Sequence, residues 1–133
     1  GPLLDRIDIH IEVTPVPFEK LSDDRKAESS VEIRKRVTNA REIQSARFES
    51  MLAIHYNAQM STKHIREYCA LDEPSKELLK NAMERLNLSA RAYDRILKVA
   101  RTIADLEAAE SVASHHIAEA IQYRSLDRDG WLG

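Results

Sequence analysis

From Ser29 to about Leu126 the apolar residues return every three or four positions in five successive stretches, with polar or charged residues filling the intervals. Apolar residues at that period line one side of a helix, and only packing against other such stripes removes them from water. Each stretch also opens on a residue suited to capping a helix. Ser29-Ser30-Val31-Glu32 has the Ser-x-x-Glu form of a capping box and leads a helix with Ile33, Val37, Ala40 and Ile43 to about Met51 or Leu52. Ser61-Thr62 starts a short helix presenting Ile65, Tyr68 and Cys69, and Asp72-Glu73-Pro74-Ser75 starts a third with Leu78, Leu79, Ala82 and Leu86 on its apolar side. Ser89 caps a fourth helix bearing Ala92, Ile96, Val99, Ile103 and Leu106; Ser114 caps a fifth with Ile117, Ala120, Ile121 and Leu126.

One segment has a different period. Between Arg6 and Val13, Ile7, Ile9, Ile11 and Val13 alternate with Asp8, His10 and Glu12, which predicts a strand. No second run offers it a partner, so the strand either folds back on the helices or pairs two copies of the chain. Pro15, Pro17 and the polar stretch Leu21 to Glu28 then read as a linker. The expected fold is all-α: a small bundle of about five helices preceded by one orphan N-terminal β-strand. It divides into strand plus linker at 1–28, the bundle at 29–127 and a tail at 128–133.

Composition narrows the chemistry. With three glycines there is no Gly-x-x-x-x-Gly-Lys-Ser/Thr or Gly-x-Gly-x-x-Gly loop, so the chain has no phosphate cradle of its own. The five histidines, His10, His55, His64, His115 and His116, fall in different elements. Adjacent helical residues point about 100° apart, so His115 and His116 are expected not to share a ligand face, and no metal site is expected. Cys69 shares the apolar side of its helix with Ile65 and reads as a packed thiol; a single cysteine fits a reducing compartment, and the cytoplasm is the expected location. No run approaches the roughly 20 apolar residues that span a bilayer. The net charge of −2 gives no global attraction to nucleic acid, but Arg25, Lys26, Arg34, Lys35, Arg36, Arg41 and Arg47 outnumber Glu28, Glu32 and Glu42 along the first helix. Arg34, Lys35 and Arg41 are therefore candidates for DNA phosphates; the alternative is a solvated helix face with internal ion pairs.

The string Gly1-Pro2-Leu3-Leu4-Asp5-Arg6-Ile7-Asp8-Ile9-His10-Ile11-Glu12-Val13 resembles the end of the AAA+ core in the magnesium-chelatase-like group of ATPases, the group that includes the competence protein ComM. Ala40-Arg41-Glu42-Ile43-Gln44 with Arg47-Phe48, Asn57-Ala58-Gln59-Met60, Ser89-Ala90-Arg91-Ala92-Tyr93 with the helix that follows, and His116-Ile117-Ala118-Glu119-Ala120-Ile121 resemble the same group in the same order. The likeness spans nearly the whole chain. It implies a C-terminal helical lid whose nucleotide-holding core precedes residue 1, with ATP and Mg2+ bound by the full-length parent, an ATPase, and not by this segment alone.

The resemblance also assigns roles. Arg91, in the first turn of the fourth helix, matches the sensor-2 arginine that reads the γ-phosphate, and Arg6 matches an arginine finger directed at a neighbouring subunit's nucleotide. Arg95 and Arg101 are expected to be structural. The implied partners are the chain's own core, neighbouring subunits of a hexameric ring, and DNA undergoing branch migration or unwinding; a nucleic-acid-binding module or a pure assembly domain are the alternatives. Ala108 to Ala113 departs from the group, whose corresponding loop often carries glycine.

Overall fold

A computed structural model describes residues 6–22 and 27–124. Among them, α1 (Phe18–Leu21) is a single turn, followed by α2 (Ser30–Arg47), a 3-10 turn at Asn57–Gln59, α3 (Thr62–Tyr68), α4 (Glu73–Arg85), α5 (Ala90–Leu106) and α6 (Ser114–Gln122). The five longer helices are those the periodicity predicts. Gly1 to Asp5, Arg25, Lys26, Leu126 and the 128–133 tail lie outside the described residues.

Local chemistry sets the helix starts. Ser29 Oγ accepts from the Glu32 N–H at 3.2 Å, Asp72 Oδ1 from the Ser75 N–H at 2.9 Å, and Ser89 Oγ from the Ala92 N–H at 3.2 Å. Two starts use an imidazole as the reciprocal acceptor: His64 Nδ1 takes the Ser61 N–H at 3.1 Å and His116 Nδ1 the Ala113 N–H at 2.9 Å. Ser114, expected as a cap, is instead the first residue of α6, and its Oγ lies 3.0 Å from Ser75 Oγ, tying the starts of α4 and α6. The ends of α4 and α5 are closed by left-handed residues, Asn87 at φ 52° and Ala108 at φ 57°. After α5 the Ala108 N–H reaches Asp105 O at 2.9 Å and the Ala109 N–H reaches Ala104 O at 2.8 Å, a pair of bonds that usually falls to glycine.

The helix α5 is the central post. It packs against α2, α3, α6 and the 3-10 turn, while α6 also packs on α4. Ile96, Ala92, Ala100 and Ala104 are fully buried, and Leu97 and Val99 nearly so, against Phe48, Met60, Ile65, Leu79, Val112 and Ile117. The alanines let neighbouring helices approach closely, and the larger residues fill the remaining space. Cys69 is buried in the same core, and burial pushes its thiol pKa up to about 11, so it remains protonated at neutral pH.

A charged cluster lies beside this core. Arg47, at the end of α2, makes a two-pronged pair with Asp105 on α5, Nη1 to Oδ2 at 2.9 Å and Nη2 to Oδ1 at 2.7 Å. The Asp105 side chain is wholly buried and that of Arg47 is 11% exposed. Asn57 adds its amide to Asp105 Oδ2 at 2.9 Å and receives Arg47 Nη1 at 2.9 Å, while its backbone N–H goes to Gln44 Oε1. Arg101 Nε reaches Asp105 Oδ1 at 3.2 Å, and its Nη atoms donate to the carbonyls of Ala109 and Glu110. Arg101 is thus structural, as expected. The bond to Asp105 raises the Arg47 pKa despite burial.

The structure differs from two expectations. No strand occurs among the described residues, and the 6–13 segment forms no ladder. It lies along the bundle instead: the His10 N–H donates to Tyr123 O at 2.7 Å, Arg124 Nη1 donates to Ile7 O, and Asp8 pairs with Arg95 on α5. The alternation is inverted, because His10 is buried while Ile7, Ile9, Ile11 and Val13 are 37%, 45%, 68% and 87% exposed. Without a sheet to fix which side faces inward, these contacts with the helices set how the segment lies. The first long helix also ends at Arg47, not at Met51 or Leu52, and its residues 31–39 are all exposed, including Val31, Ile33 and Val37.

Asp105→Ala leaves two guanidinium groups without their carboxylate, and is expected to cost about 3–5 kcal/mol in urea unfolding. Ala108→Gly relieves the left-handed alanine and is expected to stabilise by about 1 kcal/mol in the same assay.

Candidate functional site

Every α-helix begins with N–H groups that have no acceptor within the helix, and its dipole puts partial positive charge there. At the start of α5, the Ser89 hydroxyl takes the Ala92 N–H, and Arg91 adds a full positive charge at the second helical position. Arg91 is exposed and points away from the core that Ala92 and Ile96 enter. One turn on, Arg95 is paired with Asp8. Arg6 stands two residues before Asp8 and is exposed, so the segment bearing one candidate arginine is pinned one helical turn from the other.

Beside this end an open cleft of about 750 Å³ lies between α3, α4 and α5, lined among others by Ile65, Arg66, Lys76, Tyr93 and Asp94. Its floor is apolar, through Ile65 and Leu97, and its rim carries both signs of charge. Arg34, Lys35 and Arg41 are exposed on α2. Lys35 has only a loose pair with Glu32 at 3.7 Å, and the neighbouring Arg36 pairs with Glu28, so internal ion pairs account for part of this face.

Sequence reasoning missed one constellation. His115 and His116 were expected to diverge, yet both rings meet the carboxylate of Glu107, the residue that ends α5. His115 Nε2 lies 3.2 Å from each Glu107 oxygen and His116 Nε2 lies 2.7 Å from Oε2. The ring centroids are 3.9 Å apart. The 100° rule describes where Cβ atoms leave a helix; here His116 turns back to cap α6, and His115 follows it towards the same acceptor. The bond from His115 is the first cause of a Glu107 pKa below the ordinary 4.5. No pattern of spacing marks this group, because Glu107 belongs to the preceding helix.

The family model described as "Magnesium chelatase, subunit ChlI C-terminal" matches residues 27–124. The chain is 41% identical over 129 residues to competence protein ComM of Haemophilus influenzae and 40% identical over 129 residues to the uncharacterized protein YifB of Salmonella typhimurium, in each case covering 96% of this chain and 24% of the relative. An uncharacterized protein of Mycobacterium tuberculosis is 32% identical over 124 residues, covering 93% of this chain and 24% of its own length. The chain thus spans about a quarter of the length of the curated relatives it matches. It belongs to the family of magnesium chelatase ChlI C-terminal domains, in the group shared with ComM and YifB.

Proposed function

We propose that this domain is the helical lid of an ATP-hydrolysing ring, and that Arg91 reads the γ-phosphate of the bound nucleotide. The observation that carries this reading is the exposed guanidinium in the first turn of α5, at the positive end of the helix dipole, in a chain of the ChlI C-terminal family. A planar, permanently charged group suits a site where charge grows on phosphoryl oxygens, and the amides around it act in the same sense. Arg6 is the finger directed at a neighbouring subunit's nucleotide. ATP and Mg2+ are held by the parent's core, six subunits form the ring, and swinging of the lid couples hydrolysis to work. The ComM relative is named a competence protein, which supports DNA as the object of that work, by branch migration or unwinding in the cytoplasm. Among the described residues, no helix is long and apolar enough to cross a membrane.

A second role rests on α2. Its first ten residues are exposed and include Arg34 and Lys35, with Arg41 just beyond and also exposed, so these side chains are open to phosphates.

In the full-length protein, Arg91→Ala is expected to lower ATP turnover by about 10²–10³-fold while the isolated domain melts unchanged. Turnover equal to wild type removes the sensing role. Replacing Arg34, Lys35 and Arg41 together by Ala is expected to weaken duplex DNA binding and to flatten its dependence on salt by up to about three counterions. An unaltered salt slope removes α2 from the DNA interface.

A further inference from the structure

The cluster at the far end of α5 has no part in that reading: Glu107 lies about 24 Å along the helix axis from Arg91. It joins a carboxylate to two imidazoles, and one ligand atom from each of the three lies within 4.8 Å of the others. A tetrahedral ion with bonds of about 2.0–2.1 Å holds its ligand atoms roughly 3.3 Å apart; the 3.2 Å from Glu107 to His115 Nε2 is close to that, and the 2.7 Å to His116 Nε2 would open slightly around an ion. Two nitrogens and one carboxylate suit a borderline divalent transition ion and do not suit Mg2+, which takes oxygen ligands.

The cluster is also held in place before any ion arrives. Glu107 ends α5, and the closed turn through Ala108 and Ala109 fixes the path onward. Arg101 grips the carbonyls of Ala109 and Glu110, while Val112 is buried in the core, so the start of α6 returns at a set distance. His116 is 1% exposed and its ring is fixed by the Ala113 N–H; His115 and Glu107 are open to solvent, which leaves a route of entry.

We propose that Glu107, His115 and His116 form a three-ligand site for Zn2+ or a similar transition ion, with water as the fourth ligand. The resting hydrogen bonds fix what binding must change. His116 Nδ1 accepts the Ala113 N–H, so the proton of the neutral ring sits on Nε2, facing Glu107. For the ion to bond Nε2, that proton transfers to Nδ1, and the Ala113 N–H loses its acceptor. His115 Nε2 likewise carries the proton that it donates to Glu107, and this proton too moves to Nδ1 before Nε2 can bond the ion; Glu107 is already ionised, so no net proton is released. The ion therefore fastens α5 to α6 through three ligands while loosening one capping bond.

The test uses tag-free protein titrated with Zn2+ by calorimetry and with Co2+ by visible absorption, with Mg2+ as the hard-ion control. The exposed substitutions His115→Ala and Glu107→Gln remove a ligand without opening the core. Expected are one equivalent of Zn2+, the intense visible bands of tetrahedral Co2+, no uptake of Mg2+, and a shifted, faster-exchanging Ala113 amide. Each variant should bind at least about tenfold more weakly, since even supporting residues around a metal are worth that much. Wild-type protein that takes up no Zn2+, or binds it no more tightly than either variant, overturns the proposal. Both outcomes are independent of Arg91 and of ATP turnover.

Discussion

The buried pair of Arg47 with Asp105 holds the rest of the domain in register. Its two prongs join the end of α2 to the last turn of α5, and Asn57 and Arg101 extend it to the 3-10 turn and to the loop before α6. Bringing two charges out of water is costly, and such a pair is net favourable only when geometry is good and the remaining donors and acceptors are satisfied. Here Asp105 receives two guanidinium groups and an amide, so one carboxylate joins α5 to α2 and to the 3-10 turn, 58 and 48 positions away in sequence. Apolar packing alone tolerates sliding by a helical turn; a fork of hydrogen bonds does not.

What was legible in the chain follows from the range of the forces involved. Helix starts were readable because a cap acts across three residues: Ser29, Ser61, Asp72 and Ser89 all stand where their hydroxyl or carboxylate predicts. The stripe of α5 was readable for the same reason, although Ile103 and Leu106 are only partly covered. Interactions that span the fold left no local trace. Arg47 and Asp105 are 58 positions apart, and neither residue's neighbours announce the pairing. Ile33 and Val37 follow a helical spacing yet remain in solvent, because periodicity identifies a stripe and not the surface that covers it. The alternation of 6–13 shows the same limit: it records a strand's pattern, while contacts with Tyr123, Arg124 and Arg95 set how the segment lies in this chain. Arg91 was found through likeness to a family and its exposure through the fold.

The two ends of α5 differ in chemistry. The amino end gathers positive charge from the dipole, Arg91 and Arg95, and offers hydrogen-bond donors. The carboxyl end gathers Glu107 and two imidazoles, which offer lone pairs. The helix dipole opposes this placement of side-chain charge, since cations are disfavoured at its amino end and carboxylates at its carboxyl end, but it acts in the same sense as those side chains on an anion bound at the first end or a cation bound at the second. Between them lies a buried stretch of alanines, Ile96 and Val99 that allows little independent movement. The ends are therefore mechanically coupled even where they have no function in common.

The geometry of α2 has a further consequence. Its base is clamped at Arg47, whereas residues 30–39 are exposed, with only Arg36 and Val37 bordering clefts against α5. From Ser30 to Arg47 the helix is about 25 Å long, so a tilt of about 10° at the clamp carries the free tip through roughly 4 Å. A small rotation of the bundle thus becomes a displacement of several ångströms at the tip, delivered by a stiff rod. The fold amplifies angle into distance without any hinge inside the rod.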